Sequence, residues 1–358
     1  MSCHSSIAMK PSFYDYTLAE WQQWCQKHNL PAFRAKQIHA WQKRGLLDFA
    51  EMTDQSKQIR ELLATEFVAA AVKKMYAFHS QVDQVAKYIF LLQDGNIIET
   101  VLMQYDYGNT ICVTSQVGCR MGCDFCASAP LGLVRNLTSG EILAQVAVMQ
   151  RLEQVKINNI VVMGIGEPLD NYEQTLKFIH QVHDEAGLNI SLRKITLSTC
   201  GLVPAIERFA KEVLPVTLSL SLHAPNQQLR EQLMPIAKAY DLETVLQAVD
   251  DYFQHTGRRI TYEYALFAGI NDSERHAHEL ARLVQKHRGH VNLIPANPVP
   301  GKDFFRSTKK EARRFKEILE SYHLAATIRK SLGNDIEAAC GQLRRDVLDQ
   351  AESWRTDE

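Results

Sequence analysis

No apolar run in this 358-residue chain approaches the roughly 20 residues a membrane-spanning helix needs. Met1 to Lys10 lacks the pattern of a secretory signal, so the expected location is the cytoplasm. Charge of one sign is lacking too: 40 Lys and Arg stand against 41 Asp and Glu, a formal net charge of −1. No global basic field announces a nucleic acid, and any RNA contact must come from local patches. There is no internal repeat, low-complexity tract or long linker. Cysteine is sparse, with eight in all, and in a reducing compartment no static disulfide framework is expected. Clustered cysteines would then suggest metal or catalysis. What is present is an ordinary globular composition, 46% hydrophobic, enough for one large domain or one large plus one small.

Two regimes are legible along the chain. Before about residue 100, Leu18 to Lys27, Pro31 to Lys43 and Ser56 to Ala71 read as helices. Lys87 to Leu92 and Ile97 to Met103 read as a hairpin around Asp94-Gly95-Asn96. From Thr110 onward strands alternate with helices. Strands are expected at 110–114, 159–163, 194–197, 216–220, 260–265, 291–294 and 326–329, and helices at 139–154, 172–186, 202–210, 242–255, 274–287 and 309–322. Thr138 with Glu141 and Thr308 with Glu311 fit capping boxes. The pattern predicts an α/β fold: a partial parallel (β/α) barrel with its site at the C-terminal strand ends. The expected division is a helical accessory module with its hairpin over 1–100, the barrel and a C-terminal catalytic loop over 101–349, and a polar tail over 350–358.

Cys119, Cys123 and Cys126 lie within eight residues, closely after the first barrel strand. Three thiolates on one tight loop can hold three irons of a 4Fe–4S cubane, leaving the fourth iron open. S-adenosylmethionine (SAM) can chelate such an open iron through its amino and carboxylate groups. Zinc is the alternative, but no second ligand pair stands at ribbon or finger spacing. One βα unit later comes Gly164-Ile165-Gly166-Glu167-Pro168, where Gly166 admits a ligand to the backbone and Glu167 can accept from the SAM amino group. Ser198, Ser221, Leu222, His223 and Asn297 fall at or after later strand ends, where ribose, carboxylate and adenine contacts are needed. Taken singly, each polar one is equally a loop cap, and His223 equally a core histidine.

Several stretches together carry a likeness: Cys112-Val-Thr-Ser-Gln-Val-Gly-Cys119, Arg135-Asn-Leu-Thr138, Met163-Gly-Ile-Gly-Glu-Pro168, Ser221-Leu-His-Ala-Pro-Asn226, Leu233-Met-Pro-Ile236, His290-Val-Asn-Leu-Ile-Pro295 and Ala338-Ala-Cys-Gly-Gln-Leu343. With the cysteine loop, they resemble the RlmN/Cfr family of radical-SAM RNA adenine methyltransferases from about Glu99 to Leu343. Cys126-Ala127-Ser128 and Gly166-Glu167-Pro168 look closer to the RlmN branch. The resemblance implies methylation of carbon 2 of an adenine in 23S rRNA and of a tRNA adenine beside the anticodon. The Cfr branch, methylating carbon 8, remains the alternative.

The resemblance also implies a route that consumes two SAM per turnover. Cys340 accepts a methyl group from the first. A radical derived from the second abstracts hydrogen from that methyl, which then adds to the adenine. Glu99 takes the ring proton, and Cys112 resolves the protein–RNA adduct through a transient disulfide. Without the resemblance, Cys112 and Cys340 read as packing and Glu99 as a solvated strand carboxylate. Cys3, Cys25 and Cys200 match no catalytic motif and are expected to be structural.

Expected partners are 23S rRNA, tRNA and a flavodoxin- or ferredoxin-like electron donor, with the chain a monomer that has no membrane contact. Candidate RNA contacts are Arg34, Lys36, Lys43 and Arg44, interleaved with Phe33 and Trp41; the run Lys302 to Lys316; and Arg344-Arg345. A non-catalytic iron–sulfur RNA-binding or redox protein is the rival from another class, and it leaves the SAM-pocket motifs unexplained.

Overall fold

The computed structural model describes residues 10–287, 289–297, 299, 301–336 and 338. Cys3, Cys340, Arg344, Arg345 and the tail over 350–358 lie outside the described residues. Three helices come first: α1 (Leu18–Lys27), α2 (Phe33–Ala40) and α3 (Lys57–Glu66). The second is shorter than its sequence pattern. Gln42 turns inward to donate to the carbonyls of Phe13 and Tyr16, and the chain tightens to a 3-10 turn over Gln42–Arg44. The third ends at Glu66 because Phe67 is extended and packs its ring against Tyr16 and Trp21.

Strand β1 (Lys73–His79) is not anticipated by the sequence pattern. It is a sheet edge, partly exposed throughout, so it lacks period-two contrast. Strands β2 (Val85–Leu91) and β3 (Ile97–Tyr105) form the expected hairpin, with the Asn96 N–H donating to Asp94 Oδ1. β4 (Gly108–Cys112) runs antiparallel to β3. β5 (Gln116–Gly118) and β6 (Leu133–Asn136) make a separate two-stranded sheet.

The rest alternates: α4 (Ser139–Glu153), β7 (Ile157–Val162), α5 (Tyr172–His183), β8 (Ile195–Thr199), α6 (Val203–Lys211), β9 (Thr217–Ser221), α7 (Gln227–Leu233), α8 (Leu242–Thr256), β10 (Ile260–Leu266), α9 (Glu274–Val284), β11 (Gly289–Pro295), α10 (Lys309–Ser321) and β12 (Ala326–Ile328). Both expected capping boxes form, at Thr138 and Thr308. α7 is the helix the sequence pattern omits. Its seven residues are too few to display a period, although Asn226 caps it by accepting from the Leu229 N–H.

One ten-stranded sheet orders the strands β1-β2-β3-β4-β7-β8-β9-β10-β11-β12. From β4 onward neighbours are parallel, so their C-terminal ends share one edge of the sheet. Among the described residues the sheet stays open between β1 and β12, as a partial barrel should. β1 to β3 extend this same sheet on its antiparallel side. A continuous apolar core runs from Trp21 and Ile38 of the leading helices to Leu218 and Val291 of the strands.

The leading segment docks on α4 through a close backbone approach. The Gly140 N–H donates to Asp15 Oδ1 at 2.9 Å. A Cβ at Gly140 would stand 2.4 Å from the Asp15 backbone nitrogen. Gly140→Ala should therefore push this segment off α4 and lower stability by about 1–3 kcal/mol. An unchanged urea midpoint would show that the docking tolerates a methyl group.

Candidate active site

The cysteine loop hangs from the small sheet. Gln116 pairs with Asn136 and Val117 with Arg135, and the Cys119 N–H donates to the Gly132 carbonyl at 2.9 Å, which closes the loop at its base. Its far side rests on α7: the Asp124 N–H donates to the Leu233 carbonyl, and Lys302 pairs with Asp124 at 3.0 Å. Phe125 turns toward the sheet and packs edge-on against His223, with ring centroids 4.8 Å apart, and against Phe267 at 5.3 Å.

A cavity of about 1230 Å³, counting its open mouth, lies at the C-terminal strand ends. Cys119, Cys123 and Cys126 line one wall, and Gly166, Glu167, Ser198, Ser221, His223 and Asn297 line the rest. The structure thus gathers all three sequence-predicted cysteines and six of the predicted SAM-pocket residues around one space. Leu222 is placed otherwise. Its side chain is fully buried in the apolar core, and its backbone N–H donates to the Glu263 carbonyl. β9 ends at Ser221, and past it the chain turns through His223 at positive φ, so Ser221 and His223 line the cavity and Leu222 does not.

Burial and the negative charge of Glu167 and the neighbouring thiols push the Cys119 thiol up to about 12. Burial raises Cys123 further, reinforced by the other two thiols. Only a strongly cationic body can hold such thiols as thiolates, which fits an iron–sulfur core. Three thiolates on one loop suit a multi-iron body, one thiolate per iron.

Glu167 is buried, which raises its carboxyl pKa; hydrogen bonds oppose that rise. Its Oε2 accepts from the Cys200 N–H at 2.8 Å and its Oε1 from the Leu169 N–H at 3.0 Å. Its own N–H donates to Gln116 Oε1, and Gln116 Nε2 donates to Asp170, which holds Arg120 of the cysteine loop. Gly166 permits this closeness: at φ +106° a Cβ would meet Gln116 Cβ at 2.6 Å. Ser198 and Ser221 lie with their Oγ atoms 3.4 Å apart, and Asn297 Oδ1 accepts from Arg306.

His223 adopts φ +54°, an uncommon conformation for this residue type at a strand end. Its Nδ1 accepts the Ala265 N–H at 2.9 Å, so the neutral ring carries its proton on Nε2. Burial and the charge of Arg230 push its pKa down to about 3.

Two cavity residues escape sequence reasoning. Glu263 lies on the floor, its carboxylate held by Ser219 Oγ and Asn292 Nδ2 at 2.8 Å each. In sequence it is a single acidic residue inside an apolar strand. Cys200, expected to be structural, also lines the cavity. Cys25, by contrast, is core filling.

Glu99 and Cys112 lie outside this cavity's lining, on a neighbouring part of the same sheet face. Val101 pairs with Cys112, and Glu99 stands two residues along the same strand, so both side chains share that face. Glu99 is buried, with Lys87 Nζ at 3.8 Å. Cys112 packs with Val101, Met103 and Ala338, and Ala338 stands two residues before Cys340. Met163 packs against this group and also lines the cavity, so the two places adjoin there.

The basic groups differ in use. Lys36, Lys43 and Arg44 are exposed, with Arg44 over the Trp41 ring, whereas Arg34 is tied to the Asp54 carbonyl. In the later run, Lys302 and Arg306 brace the cavity mouth, and Arg314 and Lys316 are engaged in surface ion pairs.

Buried neutral, His223 opposes protonation, and this fixes a pH dependence. Between pH about 6.5 and about 3 the unfolded chain binds a proton that the folded one refuses, so stability falls as pH drops through that window. Going from about pH 7.5 to about pH 5.5, His223→Gln should lose less stability than the wild type, by about 1.4 kcal/mol. Equal losses by chemical denaturation would show that His223 titrates normally.

Comparison with known proteins agrees with this geometry. A model of the radical SAM superfamily matches residues 113–281, and a model of the ribosomal RNA large subunit methyltransferase N-terminal domain matches residues 12–69. The chain is 50% identical over 319 residues to a probable dual-specificity RNA methyltransferase RlmN of Lachnoclostridium phytofermentans, covering 89% of this chain and 90% of that one. To the protein of that name in Bacillus licheniformis it is 47% identical over 339 residues, 94% of each. A solved radical SAM methyltransferase from Sphaerobacter thermophilus matches with a TM-score of 0.91 and 43% identity, over 94% of this chain and 99% of that chain. With a cysteine loop opening on a cavity at the strand ends and relatives matched along nearly its whole length, the chain belongs to the RlmN family of SAM-dependent radical-SAM RNA methyltransferases.

Proposed function

We propose that this chain methylates carbon 2 of an adenine in 23S rRNA and of the adenine beside the anticodon in tRNA. What carries the reading is the adjacency of the two places: the cluster cavity on one side of Met163, and Glu99, Cys112 and the segment entering Cys340 on the other. An adenine ring carbon is electron-poor and will not attack a SAM methyl group directly. A cysteine sulfur is a competent nucleophile for that methyl as its thiolate.

When bound at Cys119, Cys123 and Cys126, a single 4Fe–4S cluster supplies the electron that cleaves SAM. Gly166, Glu167, Ser198, Ser221, His223, Asn297 and the backbone at Leu222 hold SAM against it. The Nε2 proton of His223 gives this pocket a donor that persists at any working pH. Two SAM molecules serve each turnover, one methylating Cys340 and one generating the radical.

The radical takes one hydrogen atom from the Cys340 S-methyl group, and the resulting methylene radical bonds to the adenine carbon, tethering RNA to protein. The adduct gives up one electron, for which the oxidised cluster would be the acceptor, and its ring proton, which Glu99, with Lys87 Nζ at 3.8 Å, takes up. Cys112 attacks the Cys340 sulfur and breaks its bond to the methylene carbon, which takes up a proton to become the methyl group of the released RNA; the disulfide left behind is reopened by an external reductant. A flavodoxin- or ferredoxin-like donor feeds the cluster. The enzyme works as a cytoplasmic monomer, with residues 1–100 as its RNA-binding accessory module. Because the cavity is enclosed by strand-end loops, the adenine must leave its stack to reach it.

Two outcomes test this reading. Purified from cells, Cys112→Ala should carry RNA through a covalent bond, visible by denaturing gel and mass spectrometry, whereas Cys340→Ala should carry none. An adduct on Cys340→Ala, or none on Cys112→Ala while the wild type turns over, would remove the assigned roles. Separately, neutralising Arg34, Lys36, Lys43 and Arg44 together should weaken RNA affinity and flatten its salt dependence without altering SAM cleavage. An unchanged salt slope would take RNA binding away from these helices.

A further inference from the structure

Arg230 is a buried charge that the account so far leaves unused. It sits on α7, between the cysteine loop and the end of β8, and none of its surface is exposed. Its Nη2 donates to the Cys200 carbonyl at 2.7 Å. Its Nε and Nη1 find no hydrogen-bond partner among the described residues. A guanidinium keeps its proton at any working pH, and an uncompensated buried charge is strongly destabilising. Removing it from water therefore calls for an anion nearby.

The groups around it say which anion. Cys123, Cys200 and His223, which all line the cluster cavity, lie near enough to Arg230 to interact with it. Its helix is bound to the cluster loop by the Asp124 to Leu233 hydrogen bond. Pro235, just past α7, lies 3.5 Å from where a Cβ on Gly122 would be. A cubane held by three thiolates carries net negative charge, and one-electron reduction adds another. That is the counter-charge this site lacks.

We propose that Arg230 is the buried counter-ion of the iron–sulfur cluster, with Nε and Nη1 free to serve it, and that it stabilises the reduced state. It is a positioning residue: it touches neither SAM nor RNA, and it acts by making the cluster easier to reduce. Hydrogen bonds to cluster sulfurs and nearby charge are the protein's means of setting such potentials. The proposal rests on the cluster reading of Cys119, Cys123 and Cys126.

The test uses full-length wild type, Arg230→Met and Arg230→Lys, reconstituted anaerobically, with folding checked by circular dichroism and iron assayed. The midpoint potential is read by electron paramagnetic resonance during a redox titration. Arg230→Met should be reduced at least tenfold less at a fixed potential, a negative shift of about 59 mV or more for a one-electron couple. Arg230→Lys, which keeps the charge but not the planar fork, should fall between. If the methionine variant fails to hold iron, the lysine variant should load as the wild type does, with a smaller negative shift. A loaded variant with the wild-type midpoint, or failure of both folded variants to load, would overturn the counter-ion role. A wild type that binds no cluster would instead overturn the cluster reading itself.

Discussion

The carboxylate of Glu167 is out of water, yet three separate pieces of chain depend on it. Its oxygens accept N–H groups at the end of β8 and in its own loop, and its backbone holds Gln116 of the small sheet. Through Gln116 and Asp170 the same network reaches Arg120 in the cysteine loop. Burial raises the energy of this charge and the hydrogen bonds lower it, so the carboxylate is stable only where all its donors converge. One residue, through its backbone N–H on one side and its carboxylate on the other, thus ties the cysteine loop to the ends of β7 and β8. The glycine at 166 follows from that constraint, because no Cβ fits between the two loops.

Around this point the cavity sets ionisable groups among apolar ones such as Phe125, Met234 and Phe267. The cavity concentrates ionisable groups, with Glu167, Glu263 and the three thiols facing one another and His223 held neutral. The adjoining part of the sheet face is mostly apolar around Cys112, with Lys87 and Glu99 paired beyond it. Among the described residues, Met163 both packs with the Cys112 group and lines the cavity.

Much of this was legible because the relevant information is local. Three cysteines within eight residues announce a metal body without knowledge of the fold, and the Thr138 and Thr308 boxes mark helix starts by spacing alone. Strand and helix alternation gave the parallel sheet for the same reason. Other features arise only from packing. Glu263 becomes a cavity group because β9 and β11 flank it with Ser219 and Asn292, and no neighbour in sequence says so. Arg230 is an ordinary helix cation until α7 is pressed beneath the cysteine loop. Leu222, between two cavity-lining residues in sequence, buries its side chain in the apolar core.

The account's central claim is that this site delivers a SAM-derived methyl group to carbon 2 of adenine through radical chemistry. The most direct measurement is mass spectrometry of nucleosides from 23S rRNA and tRNA fragments after anaerobic reaction with the reconstituted, reduced enzyme and SAM. The account predicts 2-methyladenosine in both RNAs, with 5′-deoxyadenosine formed alongside it and both absent from Cys119→Ala. 8-Methyladenosine, or methylated RNA without 5′-deoxyadenosine, would contradict it.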